Sequence, residues 1–326
     1  MGKCLITKLS GVVQNEDLLK MGELEIILKG NSSSGKRIPS FQFTEATDIK
    51  AINGLISAEN ANNGDKAQEL NISSTSGNMS CFADGEVRLR VENKYNLVTL
   101  YEQDNNAFAD LDIDLADLKY CKSLTKLNIG LKKTVKGSLE DIKDLPITDI
   151  YLNPETPSDL ANVKGWVLTS HAPEGVSLSN VYGDISNIHT SFASNIKLTV
   201  SGTKGKSLHG DLGKLGDKIQ IFVSNGDTNM SENFTWSSST VRPSSYSFIP
   251  IYNVRFATGK DVDNYLINAA SCNFDSGHDK KIIIFCTNGT RSSASDTALA
   301  TIKSNGYTVY LNGVALLKYV DGHNLV

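Results

Sequence analysis

Residues 183–200 read GDISNIHTSFASNIKLTV, and residues 210–223 read GDLGKLGDKIQIFV. Each opens on Gly-Asp followed by an apolar residue, Ile185 or Leu212. Each closes on a run that is apolar at every second position, Ile196, Leu198, Val200 and Ile219, Ile221, Val223. Working backwards, the same plan recurs. Residues 137–152 read GSLEDIKDLPITDIYL and residues 115–129 read LADLKYCKSLTKLNI, with a shortened unit at Leu160, Val163, Trp166 and Leu168 between. An i, i+3 apolar step suits one turn of helix, and a period-2 run suits a strand. Neither buries its apolar side alone, so consecutive units must stack.

The opening apolar residues 115, 139, 160, 185 and 212 are 24, 21, 25 and 27 residues apart. That spacing lies in the leucine-rich-repeat range of roughly 20–29 residues. The units are irregular, and the Asn or Cys that usually follows the strand is not kept in each. The fold expected is α/β: a small β-rich N-terminal domain over 1–96, then an irregular leucine-rich-repeat solenoid over 97–326 with a strand–helix–strand C-terminal cap. In the N-terminal part Leu5–Val13, Gly22–Leu28, Ser40–Phe43, Glu69–Ile72 and Glu86–Val91 read as strands, and Leu97–Tyr101 supplies a first solenoid strand. At the other end, Asp261–Ala270 reads as a helix that Asp261 caps. Lys281–Cys286 is a strand, Ser295–Ser304 a helix that Ser295 caps, and Tyr307–Leu311 a strand beyond Gly306.

Composition narrows the function. The chain has 326 residues, 21% charged and with formal net charge −4, and the two signs are mixed along it. No basic stripe marks a nucleic-acid binder, and no polybasic segment marks a membrane-surface role. No apolar run reaches transmembrane length. The opening stretch is broken by Lys3, Lys8, Ser10 and Gln14, unlike a signal peptide, and Ile6 stands where myristoylation wants Ser or Thr. Five cysteines (Cys4, Cys81, Cys121, Cys272, Cys286), with no CxxC, are expected as free thiols.

Chemistry is sparse. His171, His189, His209, His278 and His323 have no metal-ligand spacing, so no metal or cofactor is expected. Gly205-Lys206-Ser207 lacks the first glycine of a phosphate loop. Gly289-Thr290-Arg291-Ser292 reads as a strand–helix turn before it reads as a phosphate cradle. Asp110, Asp112 and Asp114 miss the glycine and glutamate of a calcium loop. Cys286, at the end of an apolar strand, is expected to be structural. The concentrated candidate site is the Ser-rich stretch 224–260, with Phe234, Trp236, Tyr246, Phe248 and Tyr252. These aromatics suit stacking on sugars or contact with a protein partner. The competing reading is a degenerate repeat whose aromatics fill the core.

Several segments resemble virion-associated proteins of phages that infect gut Bacteroidota, crAss-like phages among them. They are the opening 1–26, the Gly183-Asp184-Ile185-Ser186 unit with its partial copies at Gly137 and Gly210, Phe234–Ser238, Asp261–Asn268 and Gly289–Asp296. The resemblance spans nearly the whole chain on loose motifs and carries no catalytic signature. It implies a non-enzymatic structural or attachment component of the virion, a tail appendage or head fibre. Its expected partners are other virion proteins, further copies of itself (a homotrimer), and a host surface glycan or protein. A bacterial leucine-rich-repeat binding or adhesion protein and a glycan-depolymerising tail spike are the competing functions.

Overall fold

The structure is a computed structural model. It describes residues 22–29, 36–38, 40–52, 55–58, 69–72, 79–82, 86–102, 110–130, 134–170, 175–194, 196–216, 218–225, 231–237, 251–272, 274, 280–316, 318–320 and 323–325. The strand expected at Leu5–Val13 lies outside them. The fold is mixed α/β and rich in strands, most of them parallel.

Two parallel ladders organise the repeats. The first joins Leu97–Tyr101, Lys126–Asn128, Asp149–Leu152, the start of Val176–Asp184, Ile196–Gly202, Ile219–Val223 and Ile251–Tyr252. The second joins Ser158–Asp159, the end of Val176–Asp184, Leu208–Asp211, Glu232–Thr235 and Val254–Thr258. The chain turns from one ladder to the other at Asn180 (φ 55) and Asn253 (φ 57). Asn is among the few residues that enter the left-handed region cheaply. Asn180 also ties its corner to the previous turn, its Nδ2 donating to the Pro154 and Glu155 carbonyls at 2.9 and 3.0 Å.

Between the strands run single helical turns at Leu115–Leu118 (α1), Leu139–Ile142 (α2), Leu160–Val163, Ile185–Asn187 and Leu212–Lys214. Asp114, Asp159, Asp184 and Asp211 cap four of them, each accepting a backbone N–H two residues on at 2.8–3.0 Å. Ser138 and Asp141 form a capping box on α2. The i, i+3 residues Leu115 and Leu118, Leu139 and Ile142, and Leu160 and Val163 are all buried. Beneath the first ladder Leu100, Leu127, Ile150, Val176, Leu198, Phe222 and Ile251 stand in register and are buried, each worth roughly 1.5–3 kcal/mol. They belong to one apolar cluster that continues into both ends of the molecule.

At the N-terminal end, Ser40–Phe43 pairs antiparallel with Leu97–Tyr101 and covers that edge. A five-stranded antiparallel sheet runs in the order Asp110–Asp112, Leu24–Lys29, Glu86–Val91, Thr47–Ala51, Glu69–Ile72. It therefore reaches past residue 96 to recruit Asp110–Asp112, just before the first Asp cap. At the other end, Val254–Thr258, Lys281–Asn288 and Thr308–Leu311 extend the second ladder in parallel, and Val314–Ala315 closes it antiparallel. Helices Gly259–Ala270 (α3) and Asp296–Ser304 (α4) connect these strands. The expected helices and strands of this end are present, and the strands Val254–Thr258 and Val314–Ala315, which were not expected, extend it on either side. Helix α3 begins earlier than Asp261: Thr258 is its cap, and Asp261 returns the bond from the third helical position. Ser295 makes no side-chain cap bond and instead donates to Asp263. Among the described residues no helix is long and apolar enough to cross a membrane.

Candidate functional site

Strand alternation places every second side chain of the first ladder on the face opposite the apolar core. Parallel register then aligns Tyr101, Asn128, Tyr151, Ser177, Thr199 and Tyr252 in one row crossing seven strands, the backbone of Val223 carrying the register between Thr199 and Tyr252. Tyr101, Tyr151, Thr199 and Tyr252 are half-buried, whereas Asn128 and Ser177 are 3% and 0% exposed. The two short side chains stand in register between longer neighbours and are sealed from solvent: Asn128 between Tyr101 and Tyr151, Ser177 between Tyr151 and Thr199. Asn128 Oδ1 and Ser177 Oγ have no hydrogen-bond partner there. An adjacent row carries Thr99, Lys126 and Asp149, with Lys197 further along and exposed. Thr99 Oγ1 donates to Gln42 Oε1 at 2.9 Å, which fastens the covering N-terminal strand to this face.

The five aromatics singled out in sequence separate. Phe234 is fully buried, edge-on to Phe222 with centroids 5.8 Å apart. Trp236 is 2% exposed and packs against Tyr265 at 5.2 Å. Phe234 thus lies between the two ladders and Trp236 between the second ladder and α3, so their rings fill the core instead of facing a ligand. The Trp236 backbone is held there from both sides. Its N–H donates to Asp261 Oδ1, and its carbonyl accepts from Asn264 Nδ2 at 2.8 Å. Tyr252 alone of the described three lies on the row. Tyr246 and Phe248 fall outside the described residues. Tyr101 and Tyr151, which belong to the row, were legible only as strand residues, because nothing local marks which of them share a register line.

The remaining candidates resolve into structural roles. Asp112 pairs with Lys136 at 2.7 Å and Asp114 caps α1. Lys206 lies over the Tyr182 ring at 4.0 Å. Arg291, fully buried, donates from Nη1 to the Asp296 carboxylate (2.6 Å), Ser295 Oγ and the Ser292 carbonyl. Asp263 accepts from the Ser292 N–H and from the hydroxyls of Ser292 and Ser295. The Gly289–Ser292 loop is therefore clamped onto α3. Cys121, Cys272 and Cys286 are free and buried; burial pushes the Cys121 thiol up to about 12 and also raises Cys286. Of the histidines, His189 and His209 are exposed.

Two further places invite a ligand. Asp48, Glu69 and Glu92 converge within 4.8 Å. Lys50 already bonds Glu92 and Glu69, and these bonds raise its pKa. An ammonium thus stands where a cation would. A cleft of about 330 Å³ also opens between the turns Ile185–Asn187 and Leu212–Lys214, lined in part by His189, Thr190, Asp211 and Lys214.

The most unusual buried acid is Glu232. It is wholly inaccessible, at the start of Glu232–Thr235, where Oε1 accepts from Ser224 Oγ at 2.6 Å and Oε2 has no partner. Burial raises its pKa to about 7, against the lowering effects of Ser224, the backbone amides of Asn225 and Gly202, and the Arg255 charge. No protein-family model matches this chain, and no curated protein and no solved structure matches it.

Proposed function

We propose that this chain is a non-enzymatic attachment or structural component of a phage particle, its ladders forming an irregular leucine-rich-repeat solenoid. The observation that carries the binding role is the seven-strand row. A parallel register presents the same strand position repeatedly on one side of the chain, which makes an extended surface of the kind solenoids use to bind. The antiparallel strand at one edge of the ladders and the αβ unit at the other act as caps. The placement in a virion rests on the resemblance of the Gly-Asp-Ile-Ser and closing segments to phage virion proteins, and a homotrimer is the assembly proposed.

Mass spectrometry of purified particles of a phage carrying this gene tests the reading. Stoichiometric copies per particle are expected, and absence from particles overturns it. Light scattering on the purified chain should give a trimer mass; a monomer at high concentration removes the assembly claim alone.

A further inference from the structure

From the row we infer that the ligand is a linear polysaccharide lying across the strands, with Tyr101, Tyr151 and Tyr252 as stacking platforms and Asn128 and Ser177 as hydrogen-bonding groups between them. This rests on the attachment reading and names its ligand.

The spacing comes first. Neighbouring strands lie about 4.8 Å apart, so Tyr101 and Tyr151, two steps apart, are separated by about 10 Å. Tyr151 and Tyr252, four steps apart, are separated by about 19 Å. One strand step is close to the advance per sugar of an extended β-linked pyranose chain. A polymer running along the row therefore meets a tyrosine after a whole number of sugars each time. A tyrosine ring offers a flat apolar face to the C–H side of a pyranose and a hydroxyl at its tip.

The groups between the rings point the same way. Asn128 Oδ1 and Ser177 Oγ are buried without partners. A buried polar atom left unpaired is costly to a fold. A sugar hydroxyl donates and accepts, so it satisfies the amide oxygen and the serine hydroxyl alike once the half-buried tyrosines beside them turn to stack on the polymer and uncover both atoms. A protein partner would call for an apolar anchor pocket, whereas this row alternates rings with short polar groups. A nucleic acid would call for a basic stripe, and the adjacent row carries Asp149 between Lys126 and Lys197.

The row spans about 29 Å from Tyr101 to Tyr252, which accommodates about six sugars. The test is isothermal titration of the full chain with β-1,4-linked oligomers of glucose, N-acetylglucosamine and mannose, each from dimer to octamer. At least one series should bind, with affinity rising with length and levelling near six units. Tyr151→Ala should weaken the longer oligomers about tenfold, as expected for one lost ring contact. Ser177→Ala, too small a change to threaten the fold, should weaken them several-fold. Tyr95→Ala removes a tyrosine that is 39% exposed and off the row, and should leave binding unchanged.

No binding in any series, affinity independent of length, or wild-type affinity in both row variants overturns the inference. Those results leave particle membership standing. Conversely, oligosaccharide binding by a chain absent from particles leaves the inference standing and removes the virion reading.

Discussion

Gly210 lies so close to Asp184 that a Cβ at position 210 would sit 2.5 Å from the Asp184 Oδ1 and 2.7 Å from Ile185 Cγ2. Gly183 has the same relation to Asp159, at 2.6 Å. The recurring Gly-Asp pair thus has two jobs one repeat apart: the Asp caps its own turn, and the next repeat's Gly makes room for that carboxylate. Gly210 also holds φ +123, where side chains are strained. Gly210→Ala should cost about 2–4 kcal/mol, combining backbone strain with the clash. Gly205→Ala, at φ +79 with no atom within 4 Å of the added methyl, should cost only about 1–2 kcal/mol. Urea unfolding of the two variants checks this, and equal losses would refute the packing account.

Asp184→Ala removes the acceptor of the Ser186 N–H. A lost N-cap costs about 1 kcal/mol. Asp184→Asn keeps an oxygen in the same place and should recover most of that. If Asn is as damaging as Ala in thermal unfolding, the charge and not the cap bond is what matters.

Glu232 makes stability depend on pH. Its pKa in the fold, about 7, exceeds that of the unfolded chain, so between the two values the folded state holds the extra proton. The contribution is complete below the ordinary glutamate range and is lost as pH rises through about 7, a change of about 3 kcal/mol. The melting temperature should fall from pH 5 to pH 8. Glu232→Gln retains the oxygen facing Ser224 and should flatten that slope, which thermal melts across the range will show.

The clamp around Asp263 should govern the C-terminal unit. Asp263→Ala leaves the Ser292 N–H without its acceptor and the Ser295 hydroxyl with only the long 3.4 Å bond to the Ser292 carbonyl. The expected loss is about 3 kcal/mol, the size of a broken buried network. Hydrogen exchange should quicken first in α3, α4 and the 289–295 turn, and uniform acceleration along the chain would count against a local clamp.

Trp236→Ala separates core from surface. Removing this ring from against Tyr265 should cost about 3–5 kcal/mol. Oligosaccharide affinity of the folded fraction should stay at the wild-type value. Tyr252→Ala should do the reverse: little change in unfolding and a measurable loss in titration.

Local pattern alone marked the helical turns and the strands of the first ladder from Leu97–Tyr101 to Ile219–Val223, except Val176–Asp184, whereas most of the second ladder, such as Leu208–Asp211 and Glu232–Thr235, went unmarked. The i, i+3 pair Leu139 and Ile142 is a property of one turn, and the alternation of Ile196, Leu198 and Val200 a property of one strand. Gly183-Asp184 is a cap whose partner N–H lies two residues away. Such signals need no distant contact, so they survive in the sequence. The helix starts were less legible, because Thr258 and Asp261 share one box and either reads as a cap.

What only the tertiary structure decided is register and burial. Tyr101, Tyr151 and Tyr252 are joined in one line solely by hydrogen bonding across strands more than twenty residues apart. Trp236 and Tyr252 look alike as aromatics of one Ser-rich stretch. One is sealed by α3, which begins twenty-three residues later, while the other stands on the ladder's outer face. Glu232 likewise reads as an ordinary surface acid until two ladders close around it. These outcomes depend on which segments meet, and no local periodicity carries that.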